Sequence, residues 1–233
     1  MKTTEMPVSY IDLGVAVDTY KSKKQVKSLI KRVIYRFVDI LASIVGLVVL
    51  APMTAVVSFI NFVNKENGSL FFVQERIGKD GKTFKMYKYR TMVMNAEEIL
   101  KNWIENNEEL GEEYIANKKI KDDPRITKIG KILRKTSLDE FPQFINILKG
   151  EMTLVGPRPY LPMEKEDMGE DYNDIVKMKP GLTGPWQVAG RNNMEFEDRV
   201  KLDSEYGKNN SIKTDVKIVL QTVVKVIKRE GAL

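Results

Sequence analysis

The chain has no cysteine and no histidine among its 233 residues. Without cysteine there is no disulfide, no thiol nucleophile and no thiolate metal site. Without histidine there is no imidazole base and no imidazole ligand. Enzymatic chemistry in such a chain falls first to carboxylates, with Lys and Tyr behind them. Any metal it uses should be a hard, oxygen-liganded ion such as Mg²⁺. A third absence is local: Lys21, Lys23, Lys24, Lys27, Lys31, Arg32 and Arg36 follow one another with no acidic residue between them.

What is present suits a folded protein. With 42% hydrophobic and 30% charged residues, global disorder is excluded. The length allows one sizeable domain plus appendages. Residues 1–36 hold eight Lys/Arg against three Asp/Glu, so most of the net charge of +6 is gathered there. A basic segment beside an apolar one points to an anionic membrane surface on the cytoplasmic side, and away from nucleic acid.

That apolar stretch is FVDILASIVGLVVLAPMTAVVSFINFV, residues 37–63, with Asp39 as its only charge. As a helix it would be about 40 Å long, enough to cross a ~30 Å hydrocarbon core. It lies too deep in the chain and is too long for a typical cleaved signal peptide. Pro52 removes a backbone donor and clashes with the preceding turn, so a kink or break is expected near Ala51. The resulting arms, roughly 22 and 17 Å long, could enter the membrane and return on one side. A kinked spanning helix is the alternative, and the residues alone slightly favour it, because membrane helices tolerate proline.

Beyond it, residues 69–92 read as a β-hairpin turning at Asp80-Gly81, with Arg76, Lys88 and Arg90 on its arms. Residues 95–117 read as one helix, whose seven glutamates form a solvated face. Asp123-Pro124 turns into a basic amphipathic helix carrying Ile129, Ile132 and Leu133. Residues 179–193 look loop-like. Residues 211–233 form an amphipathic helix that either packs on the domain or lies in the membrane interface.

Between these lies KTSLDEFPQFINILKGEMTLVGPRP, residues 135–159, with the adjacent carboxylates Asp139 and Glu140. Ser137-x-x-Glu140 matches a capping box, a sufficient structural reason for Glu140. Chemistry is the other reading. A carboxylate in a first helical turn meets the positive end of the macrodipole, which favours its ionised form. An ionised aspartate can attack phosphorus, and guanidinium forks such as Arg134 and Arg158 bind phosphate oxygens.

Three stretches in order, QERIGKDGKTFKMYKYRTM, LRKTSLDEFPQFINILKGEMTLVGPRP and KPGLTGPWQVAGR, follow the Pro-containing apolar segment. Together they resemble the bacterial sugar transferase family, the small monotopic phosphoglycosyl transferases, from residue 31 to the C-terminus. The resemblance implies transfer of a sugar-1-phosphate from a UDP-sugar to undecaprenyl phosphate, with release of UMP. By that matching Asp139 is the nucleophile, forming a covalent phosphosugar. Glu140 supports Mg²⁺ or acts as base on the incoming phosphate, and Asp139 joins it as a metal ligand. Lys88, Arg90, Arg134 and Arg158 hold the donor diphosphate and the acceptor phosphate, and Arg76 and Arg191 are further candidates for phosphate binding.

The implied fold is mainly α with a small β-hairpin (α+β) on a monotopic membrane protein. It comprises a basic arm (1–30), a re-entrant helix hairpin broken at Ala51-Pro52 (31–64), a cytosolic catalytic domain (65–210) and a C-terminal amphipathic helix (211–233). Relatives often carry Ser where this chain has Ala51, a hydroxyl that could satisfy a freed carbonyl at the bend. Residues 1–30 lie outside the resemblance, and no polytopic N-terminal region like that of larger members is expected. WQVAGRN, residues 186–192, is similar to exopolysaccharide-type members that use galactose or glucose. Membrane lipids and downstream glycosyltransferases are the expected partners, at the bacterial inner membrane.

Two rival readings are weaker. A catalytically silent membrane scaffold has no need of Asp139, Glu140 and Arg158. A nucleic-acid binder would carry its excess charge on the main domain and not beside the membrane segment.

Overall fold

The computed structural model describes residues 10–64, 68–106, 108–117, 120–190 and 194–228. Helix α1, Tyr10–Val63, is 54 residues long and takes up the apolar segment together with much of the basic stretch before it. The hairpin follows as β1 (Phe71–Ile77) and β2 (Thr83–Tyr89), antiparallel, with Gln74 opposite Met86. Its turn needs two left-handed residues, Asp80 (φ 57°) and Gly81 (φ 75°), a conformation that short polar residues and glycine supply at least cost.

The expected single helix over 95–117 is two helices, α2 (Ala96–Glu105) and α3 (Glu109–Asn117). Glu108 N–H returns to Trp103 O at 2.9 Å. A Cβ on Gly111 would stand 2.5 Å from that same oxygen, so glycine permits the tight fold-back. Next come α4 (Lys128–Lys135), capped by Thr127 on Gly130 N–H, and α5 (Gln143–Lys149), stopped by Gly150 at φ 83°. Ile129 and Leu133 are buried on α4, while Ile132 faces outward.

The stretch read as loop-like over 179–193 contains structure. Gly181–Thr183 is strand β4, which pairs in parallel with β3 (Thr153–Val155), and Pro185–Ala189 is helix α7. A parallel pair requires a long crossover. Here residues 156–180 supply it and include the short helix α6 (Tyr172–Ile175). Helices α8 (Phe196–Asn209) and α9 (Ile212–Lys228) complete the order. Among the described residues the fold is thus mostly helical with two two-stranded sheets, where one hairpin was expected.

One stripe of α1 holds the domain. Lys31 bonds Asn210, Tyr35 bonds Asp215, and Arg36 donates to the carbonyls of Ile147 and Leu148, both at 2.6 Å. Asp39 accepts from Leu154 N–H (2.9 Å) and Thr153 Oγ1 (3.0 Å). Further along, Gly46 admits the Phe144 ring, and Leu50 and Val57 pack with Tyr89, Ile129 and Leu133. Most of these positions are spaced by three, four or seven residues, which keeps them on one helical face. Each fully buried aliphatic side chain contributes about 1.5–3 kcal/mol. The opposite face exposes Val33, Phe37, Leu41, Val45, Val48, Phe59 and Phe62.

The helix continues through Ala51 and Pro52 without ending there, unlike the two arms expected from sequence. At Leu50 the carbonyl accepts from Thr54 Oγ1 at 2.8 Å, and Tyr89 OH lies 2.6 Å from that hydroxyl. Both hydroxyls serve the Leu50 carbonyl, whereas the carbonyl that loses its helical donor to Pro52 is that of Val48, four residues earlier. Helix α9 is likewise two-faced: Asp215 and Ile218 are buried, whereas Val216, Leu220, Val223 and Ile227 are exposed.

Candidate active site

The acidic pair sits on a turn set between two helices. α4 ends at Thr136, and Ser137 takes a left-handed conformation (φ 57°, ψ 18°) with its N–H returning to Arg134 O at 3.0 Å. That is how a helix is terminated; an N-cap needs extended backbone. The capping box expected from Ser137 and Glu140 is therefore not formed. Ser137 caps no amide with its side chain, and Leu138–Glu140 is a single 3₁₀ turn before Pro142 opens the way to α5. Holding serine left-handed costs on the order of 1 kcal/mol. It also swings the two carboxylates toward β2.

There Lys88 Nζ lies 2.8 Å from Glu140 Oε1, with the two side chains 26% and 38% exposed. Asp139 is the more enclosed of the pair. Loss of hydration pushes its carboxyl up to about 6, Lys88 and Arg134 pull it down, and Glu140 pushes it up. The sequence had suggested the opposite direction, through a helix dipole. Asp139 precedes α5 by four residues and stands on a 3₁₀ turn, so burial decides. Arg134, itself largely buried, donates from Nε to Thr91 Oγ1 at 2.9 Å and keeps its charge near Asp139. Lys88 and Arg134 thus both stand beside the dyad.

Cross-strand register places a second group nearby. Arg76 opposes Phe84 and Lys88 opposes Phe72, so both project from the same face of the hairpin. Arg76 is only 9% exposed. It donates from Nη1 to Pro159 O at 3.0 Å and from Nη2 to Gln74 Oε1 at 2.5 Å. Burial, then Arg158, lowers it to about 10, while Glu164 and Glu140 act the other way. Nη1 thus holds the Pro157-Arg158-Pro159 element and Nη2 holds Gln74, while Nε is buried with no hydrogen-bond partner among the described residues.

Arg158 is fixed from several directions. Its backbone N–H donates to Asp203 Oδ2 at 2.8 Å, which also accepts from Tyr160 OH at 2.9 Å. Its guanidinium lies 3.6 Å from Glu164 and 5.6 Å from the ring centroids of both Tyr160 and Trp186. Arg199 covers the same indole at 5.7 Å and donates to Met194 O. Asp203 is fully buried, and burial pushes its carboxyl up to about 7. Arg199, Trp186, Glu164 and Asp203 were not singled out from the sequence. No spacing rule links residue 158 to 186, 199 or 203, since each lies on a different element.

Arg90 stands apart, its Nε bonded to Ser69 O at 2.7 Å. Arg191 lies outside the described residues. Ala51 and Pro52 lie in α1, near the Leu50 carbonyl that Thr54 serves. As for a metal, no cluster of three or more Asp, Glu, His or Cys occurs among the described residues. Mg²⁺ is commonly held by one or two carboxylates plus substrate phosphate oxygens, and the adjacent Asp139-Glu140 pair fits that mode.

Comparison with known proteins agrees with the geometry. The family model for the bacterial sugar transferases matches residues 30–229. An undecaprenyl-phosphate galactose phosphotransferase of Salmonella typhimurium is 41% identical over 201 residues, covering 86% of this chain and 42% of its own length. A UDP-galactose-lipid carrier transferase of Erwinia amylovora is 42% identical over 201 residues, with shares of 86% and 42%. The exopolysaccharide production protein ExoY of Sinorhizobium fredii is 39% identical over 198 residues, with shares of 84% and 87%. The chain thus spans less than half the length of the first two relatives and matches most of the third. A match running from α1 to the end of α9, over all three motif stretches, places this chain in the bacterial sugar transferase family.

Proposed function

We propose that this protein is an undecaprenyl-phosphate sugar phosphotransferase of polysaccharide synthesis. It would move a hexose-1-phosphate from a UDP-sugar to undecaprenyl phosphate and release UMP. The observation that carries this reading is the meeting of Lys88, Arg134 and the Asp139-Glu140 pair at one partly open turn. The names of the relatives support the same substrate classes, with galactose the favoured sugar.

In the first half-reaction an Asp139 carboxylate oxygen attacks the β-phosphorus of the UDP-sugar. The bond from that phosphorus to the bridging oxygen breaks, and UMP leaves with the oxygen. In the second, an oxygen of the polyprenyl phosphate attacks the same phosphorus, the acyl-phosphate bond breaks, and the Asp139 carboxylate is regenerated. Lys88 and Arg134 offset the charge that builds on the phosphoryl oxygens. Glu140, held by Lys88, orients the turn and accepts a proton from an acceptor phosphate that arrives protonated. Asp139 and Glu140 are the residues that would hold Mg²⁺, and a bound Mg²⁺ would neutralise part of the diphosphate charge. Arg158, held by Asp203 and the aromatic rings, would bind the donor diphosphate.

The same reading makes residues 29–63 a re-entrant, monotopic anchor of the inner membrane, with the domain on the cytoplasmic face. Support comes from the stripe on α1. The domain touches it near Arg36 and Asp39 and again near Thr54 and Val57, on both sides of the apolar segment's midpoint. A charged domain cannot follow a spanning helix into hydrocarbon. The exposed apolar face of α9 offers a second contact with the lipid.

The test is incubation of the detergent-purified protein with Mg²⁺, undecaprenyl phosphate and a panel of UDP-sugars, reading the nucleotide released. UMP from one sugar, lost in Asp139→Asn, is the expected result. Release of UDP, or silence across the panel, would overturn it.

A further inference from the structure

Strand β2 has two edges, and the one facing away from β1 is met by a side chain. Just beyond the strand, Arg90 N–H continues the ladder to Leu70 O at 2.9 Å. The even-numbered residues of β2 therefore turn their amides to β1, and the odd-numbered ones turn theirs outward. Two of those outward groups meet Asn146 of α5. Its Oδ1 accepts from Tyr87 N–H at 3.1 Å, and its Nδ2 donates to Lys85 O at 2.7 Å. Nδ2 also donates to Glu151 Oε2 at 2.7 Å. Asn146 is fully buried. A carboxamide carries the donor and the acceptor of a peptide group, and here it stands where a third strand would. Its partners fix its orientation: Tyr87 N–H requires the oxygen, and Lys85 O and Glu151 require the nitrogen.

This amide joins the two elements that carry opposite halves of the site. Lys88 follows Tyr87 directly, and the turn bearing Asp139 and Glu140 runs through Pro142 into α5, which carries Asn146. Lys88 reaches Glu140 at 2.8 Å, but the two side chains are 26% and 38% exposed, and so open an ion pair is too weak to hold a hairpin in place. Lys149 Nζ touches Tyr87 OH at 3.1 Å and is exposed as well. A buried amide with all its partners is stiffer than either. Sliding the hairpin along α5 by one residue, about 3.4 Å, would carry the Lys88 ammonium away from the dyad. Met86, Ile147 and Met152, each adjacent in sequence to a member of this network, form an apolar cluster. Satisfying two buried backbone groups there is one reason for a polar residue at 146. Its place between the two halves of the site gives it a second task.

We propose that Asn146 is a positioning residue: it sets the place of the hairpin along α5 and so holds the Lys88 ammonium beside the Asp139-Glu140 pair, with Glu151 orienting its amide. The inference rests on the phosphotransferase reading above and deepens it. Asn146 touches no substrate and acts through Lys88, so its loss costs at most what loss of the Lys88 charge costs. That loss falls on kcat, because the charge Lys88 offsets is the one that builds during phosphoryl transfer.

Two measurements on the detergent-purified full chain test this. In the UMP-release assay, Asn146→Leu is expected to lower kcat at least about tenfold while the KM for the UDP-sugar stays within about twofold. On a Lys88→Met background the same change should cost less than about twofold further. Glu151→Ala, at a half-buried position and gentler to the fold, should lower kcat about threefold, and Glu151→Gln, which keeps an acceptor, should recover most of that. Equal losses with and without Lys88, or a loss confined to KM, would mean a general structural role and overturn the proposal. The second measurement needs no turnover: acetylation of Lys88 by acetic anhydride, followed by peptide mapping. Lys88 should label several-fold faster in Asn146→Leu and Glu151→Ala, with the exposed Lys101 unchanged as reference. Unchanged Lys88 labelling in both variants, in a protein that releases UMP, would overturn the positioning role and leave the phosphotransferase reading intact. Faster labelling in a protein that releases no UMP from any UDP-sugar would uphold the positioning and overturn that reading.

Discussion

Asp139 and Asp203 are both carboxylates that burial has pushed well above the usual range, to about 6 and about 7, yet only Asp139 lies at the candidate site. Asp203 is enclosed by neutral donors, the Arg158 amide and the Tyr160 hydroxyl, and its job ends at holding Arg158. Asp139 stands among Lys88, Arg134 and Glu140 beside a partly open ion pair. A raised carboxyl is therefore not a mark of catalysis. Access and a cationic surrounding that can bind phosphate are what separate the two.

Exchanging each residue breaks this comparison most strongly. Asp139→Asn should lower UMP release by at least roughly 10³-fold, since the mechanism proposed above forms its covalent intermediate on Asp139. Asp203→Asn should leave most of the first half-reaction and raise mainly the KM for the UDP-sugar, as a positioning residue would. If both fall alike in kcat, the distinction drawn here is wrong. Next in size, Lys88→Met should cost about 10²-fold in kcat by removing charge from the site, read in the same assay. Lys88→Arg should recover part of it.

A stability effect comes third. Asp203→Ala leaves the buried Arg158 amide and Tyr160 hydroxyl without an acceptor, at about 1–3 kcal/mol. A thermal melt should drop by several degrees. Smallest is a pH effect. Both carboxyls bind a proton more tightly folded than unfolded, so each makes stability fall as pH rises from about 4 to its folded value. Asp139→Asn should remove the part of that slope ending near 6, and Asp203→Asn the part continuing to about 7, measured by denaturant unfolding across pH. The first half-reaction of the unmodified enzyme should decline about tenfold per unit below pH 6, as Asp139 is protonated.

These residues also show what a sequence discloses. The hairpin was legible because Asp80-Gly81 is a local signal, and α1 because apolarity over 27 residues needs no partner to be read. Lys88 was singled out through resemblance, not periodicity, and its ion pair with Glu140 was not among the expectations. What stayed hidden depended on distant or unusual backbone. Ser137 looks like a cap in sequence because serine is often one; its left-handed φ instead ends α4, which the four-residue pattern does not signal. The parallel pair of β3 and β4 joins three-residue strands, too short for an alternation to register. The shared indole of Trp186 under Arg158 and Arg199 is a tertiary event.

The stripe along α1 has one more consequence. What keeps both halves of that helix against the same domain is not in the helix: Tyr89, Phe144, Leu154 and Asp215 belong to segments made later. On the re-entrant reading proposed above, topology would be a product of folding after synthesis, not of the hydrophobic segment at the moment it leaves the ribosome. Excised from its domain, the segment 29–63 is simply a 35-residue helix whose apolar stretch is long enough to cross a membrane. It is predicted to cross the bilayer, and a terminal thiol on each end, probed from both sides of sealed vesicles, would report opposite accessibility in the fragment and the same side in the whole chain.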